Sequence, residues 1–202
     1  MYKYPKTIDN LIQCYKKLPT IGEKTAIRLA LASLDLDSEV IEVFSNSLLD
    51  CKSKIKRCVR CNNLTEDDLC DICKDETRTK NILCVVDDPK SIVQFERSGA
   101  FSGFYYVLNG LISSDNNYDP EALKIENLIS LIDDNDVCEV IIAVKPSIEG
   151  ETTALYISKL LENKNVLVSR IALGIPLGAD MDYIDSLTLE LALENRKEIN
   201  NN

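Results

Sequence analysis

Four of the eight cysteines in this 202-residue chain stand in one short tract, Cys58-x2-Cys61-x8-Cys70-x2-Cys73. Each Cys-x-x-Cys knuckle places two thiolates on the same side of a turn. Two knuckles together close a tetrahedral four-sulfur cage, which suits a single zinc ion. All four positions are filled by protein, so the expected Zn2+ is structural, with no vacancy for substrate. The surrounding residues, 54–76, show little apolar periodicity, and metal binding would supply the folding energy they lack. Lys54, Lys56, Arg57 and Arg60 lie beside the first knuckle and are expected to offset the charge of four thiolates. Redox-active or incidental cysteine pairs and an iron–sulfur cluster are the competing readings. The other cysteines (Cys14, Cys51, Cys84, Cys138) are scattered, and a disulfide framework is not expected. The chain has no histidine, which removes Ser-His and Cys-His nucleophilic catalysis.

A second constellation is Leu18-Pro19-Thr20-Ile21-Gly22-Glu23-Lys24-Thr25-Ala26, between two helical stretches. It looks like a helix-hairpin-helix element. A tight turn would present the backbone N–H groups at the start of the second helix to a phosphate, aided by the helix dipole. Lys24 and Arg28, one turn apart, would add charge on that side. Ile21, Gly22, Lys24, Thr25 and Arg28 are therefore the candidate DNA-binding residues, and such contacts carry no base specificity. The bland alternative is an ordinary corner between two helices. The usual motif has glycine at the position of Thr20, and a β-branched residue tolerates positive φ poorly. Gly22-Glu23-Lys24-Thr25 echoes a phosphate-binding loop, but the full G-x-x-x-x-G-K-[ST] pattern is absent.

The elements that must position these residues follow from periodicity. Ile8, Leu11, Ile12, Tyr15 and Leu18 share one face of a helix over 7–18. Ala26, Leu29, Ala30 and Leu34 do so over 23–34. Ile41, Phe44 and Leu48 are expected to face inward on a third helix that Asp37 or Ser38 caps and that runs to about Cys51. From residue 81 the pattern alternates. Ile82–Val86 reads as a buried strand, and Phe104–Leu108, Val140–Val144 and Val166–Val168 with Ile171 read as further strands. Helices are expected from Asp88-Pro89 to Ser98, near Leu123–Ile132, over Glu151–Leu161 and near Ser186–Leu193. Continuous apolar strands separated by helices predict a parallel sheet covered on both faces. The division expected is 1–53 helical hairpin domain, 54–76 zinc finger, 80–173 parallel α/β domain, and 174–202 tail. Net charge is −10, yet residues 1–60 carry 11 Lys/Arg against 7 Asp/Glu. A basic amino end on an acidic body permits anion binding at one end and a basic protein partner at the other. No apolar run approaches membrane length and no signal peptide is visible, so the expected location is cytoplasmic.

Helical hairpin, four-cysteine knuckle and α/β domain, in this order and size, resemble the RecR family of recombination mediators over essentially the whole chain. The tracts that carry the likeness are Leu18–Ala30, Cys58–Cys73, Cys84-Val85-Val86-Asp87-Asp88-Pro89, Pro146-Ser147-Ile148-Glu149-Gly150-Glu151 and Gly174-Ile175-Pro176-Leu177-Gly178. The resemblance implies that the α/β part is a Toprim domain. In catalytic Toprim enzymes an acid follows the first strand and an Asp-x-Asp follows the third, and these hold magnesium. Asp87 stands at the first position, but the second reads Lys145-Pro146-Ser147. A lysine repels the cation those acids would hold, so no enzyme activity is expected. A catalytic Toprim nuclease or primase-type enzyme is the alternative.

The family implies a homo-oligomer, a tetrameric ring or a dimer, that binds gapped, single- and double-stranded DNA. It acts with RecO and RecF to load RecA in DNA repair. By position, Glu149 and Glu151 are the expected contacts to RecO, the alternative being acids that serve their own helix terminus. The tail resembles the family's Walker-B-like segment. Departures from the family pattern are Asn109-Gly110 where His-Gly is common, Asp115–Asp119 in place of a Gly-rich stretch, and Ala179 and Glu194 in place of glycines.

Overall fold

The computed structural model describes residues 4–113, 121, 123–172 and 174–196. It divides into two compact units, Met1–Ile55 and Lys56–Asn202.

The first unit is helical: α1 (Lys6–Lys16), α2 (Glu23–Ala32), a 3-10 turn at Ser33–Asp35, and α3 (Ser38–Lys54). Helices α1 and α2 pack through Ile12, Ala26 and Ala30, all buried, with Ile8, Leu11, Tyr15, Ile21 and Ile27 around them. Two alanines at i and i+4 let the helices approach closely, and the Tyr15 hydroxyl ties to Ser33 at 2.8 Å. Leu18 lies beyond the end of α1 and Leu34 within the 3-10 turn, and both are exposed. The third helix corrects the expectation most clearly. Of the two expected caps it takes Asp37, whose side chain makes no cap hydrogen bond, and it runs to Lys54 and buries nothing. Ile41, Phe44 and Leu48 are 37%, 49% and 58% exposed. Their stripe has helical spacing, but none of it joins the core formed by α1 and α2.

The second unit begins with a small antiparallel pair, β1 (Lys56–Arg57) and β2 (Leu64–Thr65), and the one-turn helix α4 (Asp71–Lys74). The parallel sheet follows, as predicted. Its strands are β3 (Ile82–Val86), β4 (Phe104–Val107), β5 (Glu139–Ile142) and β6 (Leu167–Arg170), in the order β4-β3-β5-β6, all parallel. Helices α5 (Pro89–Ser98), α6 (Ile125–Asp134) and α7 (Ile148–Leu161) connect them, and α8 (Ser186–Glu194) closes the described tail.

Alternation along the strands sorts the core into two layers. Leu83, Val85, Phe104, Tyr106, Val140 and Ile142 face α6 and α7. Cys84, Val86, Tyr105 and Val107 face Ile92 of α5. Local chemistry sets the helix ends. Asp88 caps α5 by accepting from the Lys90 N–H at 2.8 Å, Pro89 fits the first turn, and Gly99 closes the helix at φ 63°. Ser147 caps α7 by accepting from the Gly150 N–H, so this helix starts three residues before the predicted Glu151.

Candidate metal centre and nucleic-acid interface

The cysteine cluster is built by two tight turns. After β1 the chain reverses through Cys58–Asn63, held by Cys58 N–H to Asn63 O at 2.7 Å and Asn62 N–H to Cys58 O at 2.9 Å. Asn62 takes φ 62°, a conformation Asn adopts more readily than most residues. Cys70 precedes α4 and Cys73 lies within it. All four cysteines are buried, and their sulfurs lie within 4.8 Å of one another. A tetrahedron with zinc–sulfur bonds of about 2.3 Å has edges of roughly 3.8 Å, and the Cys61 and Cys70 sulfurs are 3.5 Å apart. The Cys70 N–H points at the Cys58 sulfur at 3.4 Å, the backbone donor a bound thiolate needs. Crowding already polarises the thiols: hydrogen bonding from Cys61 drives Cys70 down, while the same contact drives Cys61 up. The donor set fits one structural zinc. Cys84, by contrast, is a buried thiol that desolvation pushes up to about 12, with no ligand role.

The neighbouring cations are committed elsewhere. Lys56 pairs with Asp68, and Lys54 with Asp50. Arg60 lies 4.8 Å over the Phe104 ring and donates to Asn135. Arg57 donates to Asn62 O at 3.1 Å and to Asn109 Oδ1. The knuckle is thereby fastened to the sheet. Val107 N–H donates to Cys61 O at 2.9 Å, and Asn62 Nδ2 donates to Val107 O at 2.7 Å. The cysteines share a core with Leu83, Val85 and Phe104, which explains how so short a segment is held without a core of its own. Sequence reasoning missed Asn62 and Asn109; the adjacent Asn62-Asn63 and the Asn109-Gly110 pair are the turn signals that mark them.

In the helical unit, Thr20 takes φ 68°. The turn does require the left-handed conformation at the position where glycine is missing. Gly22 does not: its φ is −82°, and it caps α2 with no side-chain partner. A Cβ there would meet nothing within 4 Å, so the amino end of α2 is open to an incoming group. Lys24 and Arg28 are both exposed. Among the described residues neither has a hydrogen bond or ion pair to another side chain. Glu23, whose charge would otherwise oppose an anion there, is paired with Lys16. Thr25 is half-buried, and Ile21 packs into the helical core, so its backbone rather than its side chain faces the turn.

At the carboxy ends of the strands, Asp87 follows β3, and its carbonyl accepts the Gly110 N–H at 3.0 Å. Asp88 is occupied as the cap of α5. Lys145 is exposed, and its carbonyl backs onto Gly150, where a Cβ would come within 1.9 Å. Among the described residues no set of three carboxylates converges here; the cysteine cluster is the group with metal-binding geometry. Glu149 and Glu151 both sit in the first turn of α7, but in different circumstances. A hydrogen bond from Ser147 lowers the Glu149 carboxyl, whereas Glu151 is paired with Arg170. The tail carries Leu177, Met181 and Tyr183 exposed.

Comparison with known proteins finds four family matches along the chain. Residues 8–52 match the RecR helix-hairpin-helix family, 55–75 the four-cysteine zinc finger domain of RecR, 81–172 the Toprim domain, and 174–197 the RecR C-terminal family. The recombination protein RecR of Clostridium perfringens is 45% identical over 196 residues, covering 97% of this chain and 98% of that protein.

Proposed function

Because the chain belongs to the RecR family, we propose that it is a non-catalytic mediator of DNA gap and break repair, cytoplasmic, acting with RecO and RecF to load RecA. The observation that carries this reading is the amino end of α2. It has no side-chain cap, no Cβ obstructs Gly22, and Lys24 and Arg28 lie exposed one turn apart. Backbone amides at a helix start, backed by two free cations, suit a phosphate and ignore base identity. Ile21, Gly22 and Thr25 contribute backbone to this grip.

The four segments 1–53, 54–76, 80–173 and 174–202 divide the work. The first holds DNA, the second and third form the metal-stapled body, and the last serves assembly into a dimer or tetrameric ring. Glu149 is the better placed of the two acids to meet RecO, because Glu151 already has a cation. Lys145 at the site of the ion-holding acids supports the non-catalytic reading. Asp87, at the end of the first sheet strand, is the one feature that favours a Toprim nuclease or primase. Magnesium-dependent cleavage abolished by Asp87→Ala would establish that alternative.

The direct test is a salt titration of binding to gapped DNA. Lys24→Ala should weaken all sequences alike and reduce the salt slope by about 0.7–0.9. A loss confined to particular sequences would show that Lys24 reads bases and that the phosphate grip is misassigned.

A further inference from the structure

Asn109-Gly110 is the sequence most prone to cyclise in a polypeptide, because glycine leaves its own nitrogen unhindered. Here Asn109 is exposed at φ 63° and Gly110 follows at φ 151°. Yet the attacking nitrogen is engaged, and the side chain that carries its target carbon is tied down. The Gly110 N–H is donated to Asp87 O at 3.0 Å, and the Asn109 side-chain oxygen accepts from Arg57. Arg57 sits on β1, one residue before Cys58, and also donates to Asn62 O. Asn62 in turn donates to Val107 O, two residues before Asn109. The metal knuckle therefore holds the turn that contains the labile pair.

We propose that Asn109 is a guarded modification site, a latent succinimide-forming asparagine that the knuckle protects through Arg57. When the turn is released, the Gly110 nitrogen attacks Asn109 Cγ. The Cγ–Nδ2 bond breaks, and the amide leaves as ammonia with the proton lost from Gly110. Water then opens the five-membered imide at either carbonyl, giving aspartate or isoaspartate. No oxidant or cofactor is needed. The aspartate product gives Arg57 a charged partner in place of a neutral one; the isoaspartate product adds a backbone atom to the turn. Either way, the link between knuckle and sheet is altered.

The test is an ageing series at neutral pH and 37 °C on the full zinc-loaded protein, read by mass spectrometry. Asn109 lies on the tryptic peptide 98–124, and fragment ions separate it from Asn116 and Asn117. The signal is the unit mass gain of deamidation. The folded protein should deamidate at Asn109 at least about tenfold more slowly than the same chain in denaturant, since reaction requires local opening. Arg57→Ala should speed it about tenfold, the loss expected for a hydrogen bond to a charged group. Asn62→Gly keeps a backbone free to take φ 62° while removing the bond to Val107, and should also accelerate the reaction. Zinc content measured on each variant separates loss of the contact from loss of the metal. Zinc chelation of the wild-type protein should raise the rate to at least that of Arg57→Ala. Rates in Arg57→Ala and Asn62→Gly equal to or below wild type, with zinc retained, would overturn the proposal. So would a folded protein that deamidates as fast as the denatured chain.

Discussion

Replacing Thr20 by glycine should stabilise the helical hairpin. Thr20 holds φ 68° at the turn between α1 and α2. Its side chain is exposed and, among the described residues, its hydroxyl has no partner, so no contact offsets the strain. A left-handed backbone costs a residue with a Cβ roughly 1–2 kcal/mol. Glycine removes that cost but gives back about 0.4–1 kcal/mol through the freer unfolded chain. The net gain is about 0.5–1 kcal/mol, a two- to fivefold shift in the local opening equilibrium. Hydrogen exchange at the Ala26, Ile27 and Ala30 amides of α2 reads this directly, because these are the α2 residues packed against α1. Thr20→Gly should slow their exchange by that factor. Thr20→Ala, which loses the branch but keeps the Cβ, should recover only a minor part. If Thr20→Gly leaves exchange unchanged or faster, or if Thr20→Ala matches it, the strain does not reside in the Cβ and the reasoning fails.

Cys70→Ser should abolish zinc binding, with metal content measured after dialysis against buffer. Structural zinc in comparable knuckles supplies about 10–16 kcal/mol of apparent binding energy, so the variant should also lose protection at Val107, whose N–H bonds the knuckle. Gly150→Ala should destabilise the α/β unit by about 3 kcal/mol in urea unfolding, since its Cβ would fall 1.9 Å from the Lys145 carbonyl; a neutral result would show that α7 can shift at no cost. The Arg78–Glu96 pair makes stability depend on acid. Arg78 holds the Glu96 carboxyl below its usual range, helped by the Tyr105 hydroxyl. A lowered folded-state pKa adds stability that is present above the unfolded value, about 4.3, and is lost as pH falls through the lower folded one. Glu96→Gln should flatten the stability profile in that window, as followed by circular dichroism at a series of pH values.

The sheet was readable because each strand is a run of apolar residues bounded by turn signals. Leu83–Val86 and Phe104–Val107 are buried on both faces, and the helical stretches between such runs imply parallel strands, but register is not written in an unbroken apolar run. The cysteine cage was readable for a different reason: two Cys-x-x-Cys pairs separated by eight residues suffice to close a four-sulfur tetrahedron. Helix α3 misled because amphipathic spacing says that a face is apolar, not that something covers it. The contacts of Arg57, Arg60 and Asn62 were invisible because they join residues 52, 75 and 45 positions apart, and no local pattern encodes such pairings. The conformation at Thr20 was legible, since its departure from glycine pointed to the strain the structure contains.

Strand β4 lies at the rim of the sheet and reads Phe-Tyr-Tyr-Val, a β-prone, uncharged run of the kind that recruits strands from other chains. Its outer side is not left bare. Arg78 reaches Gly103 O just before it, and Cys61 and Asn62 take both polar groups of Val107 at its far end. The cysteine knuckle thus acts as a stopper on an adhesive border. Loss of the knuckle would leave the polar backbone groups of Val107 unpaired on an edge strand, the condition under which such a border accepts a strand from another chain.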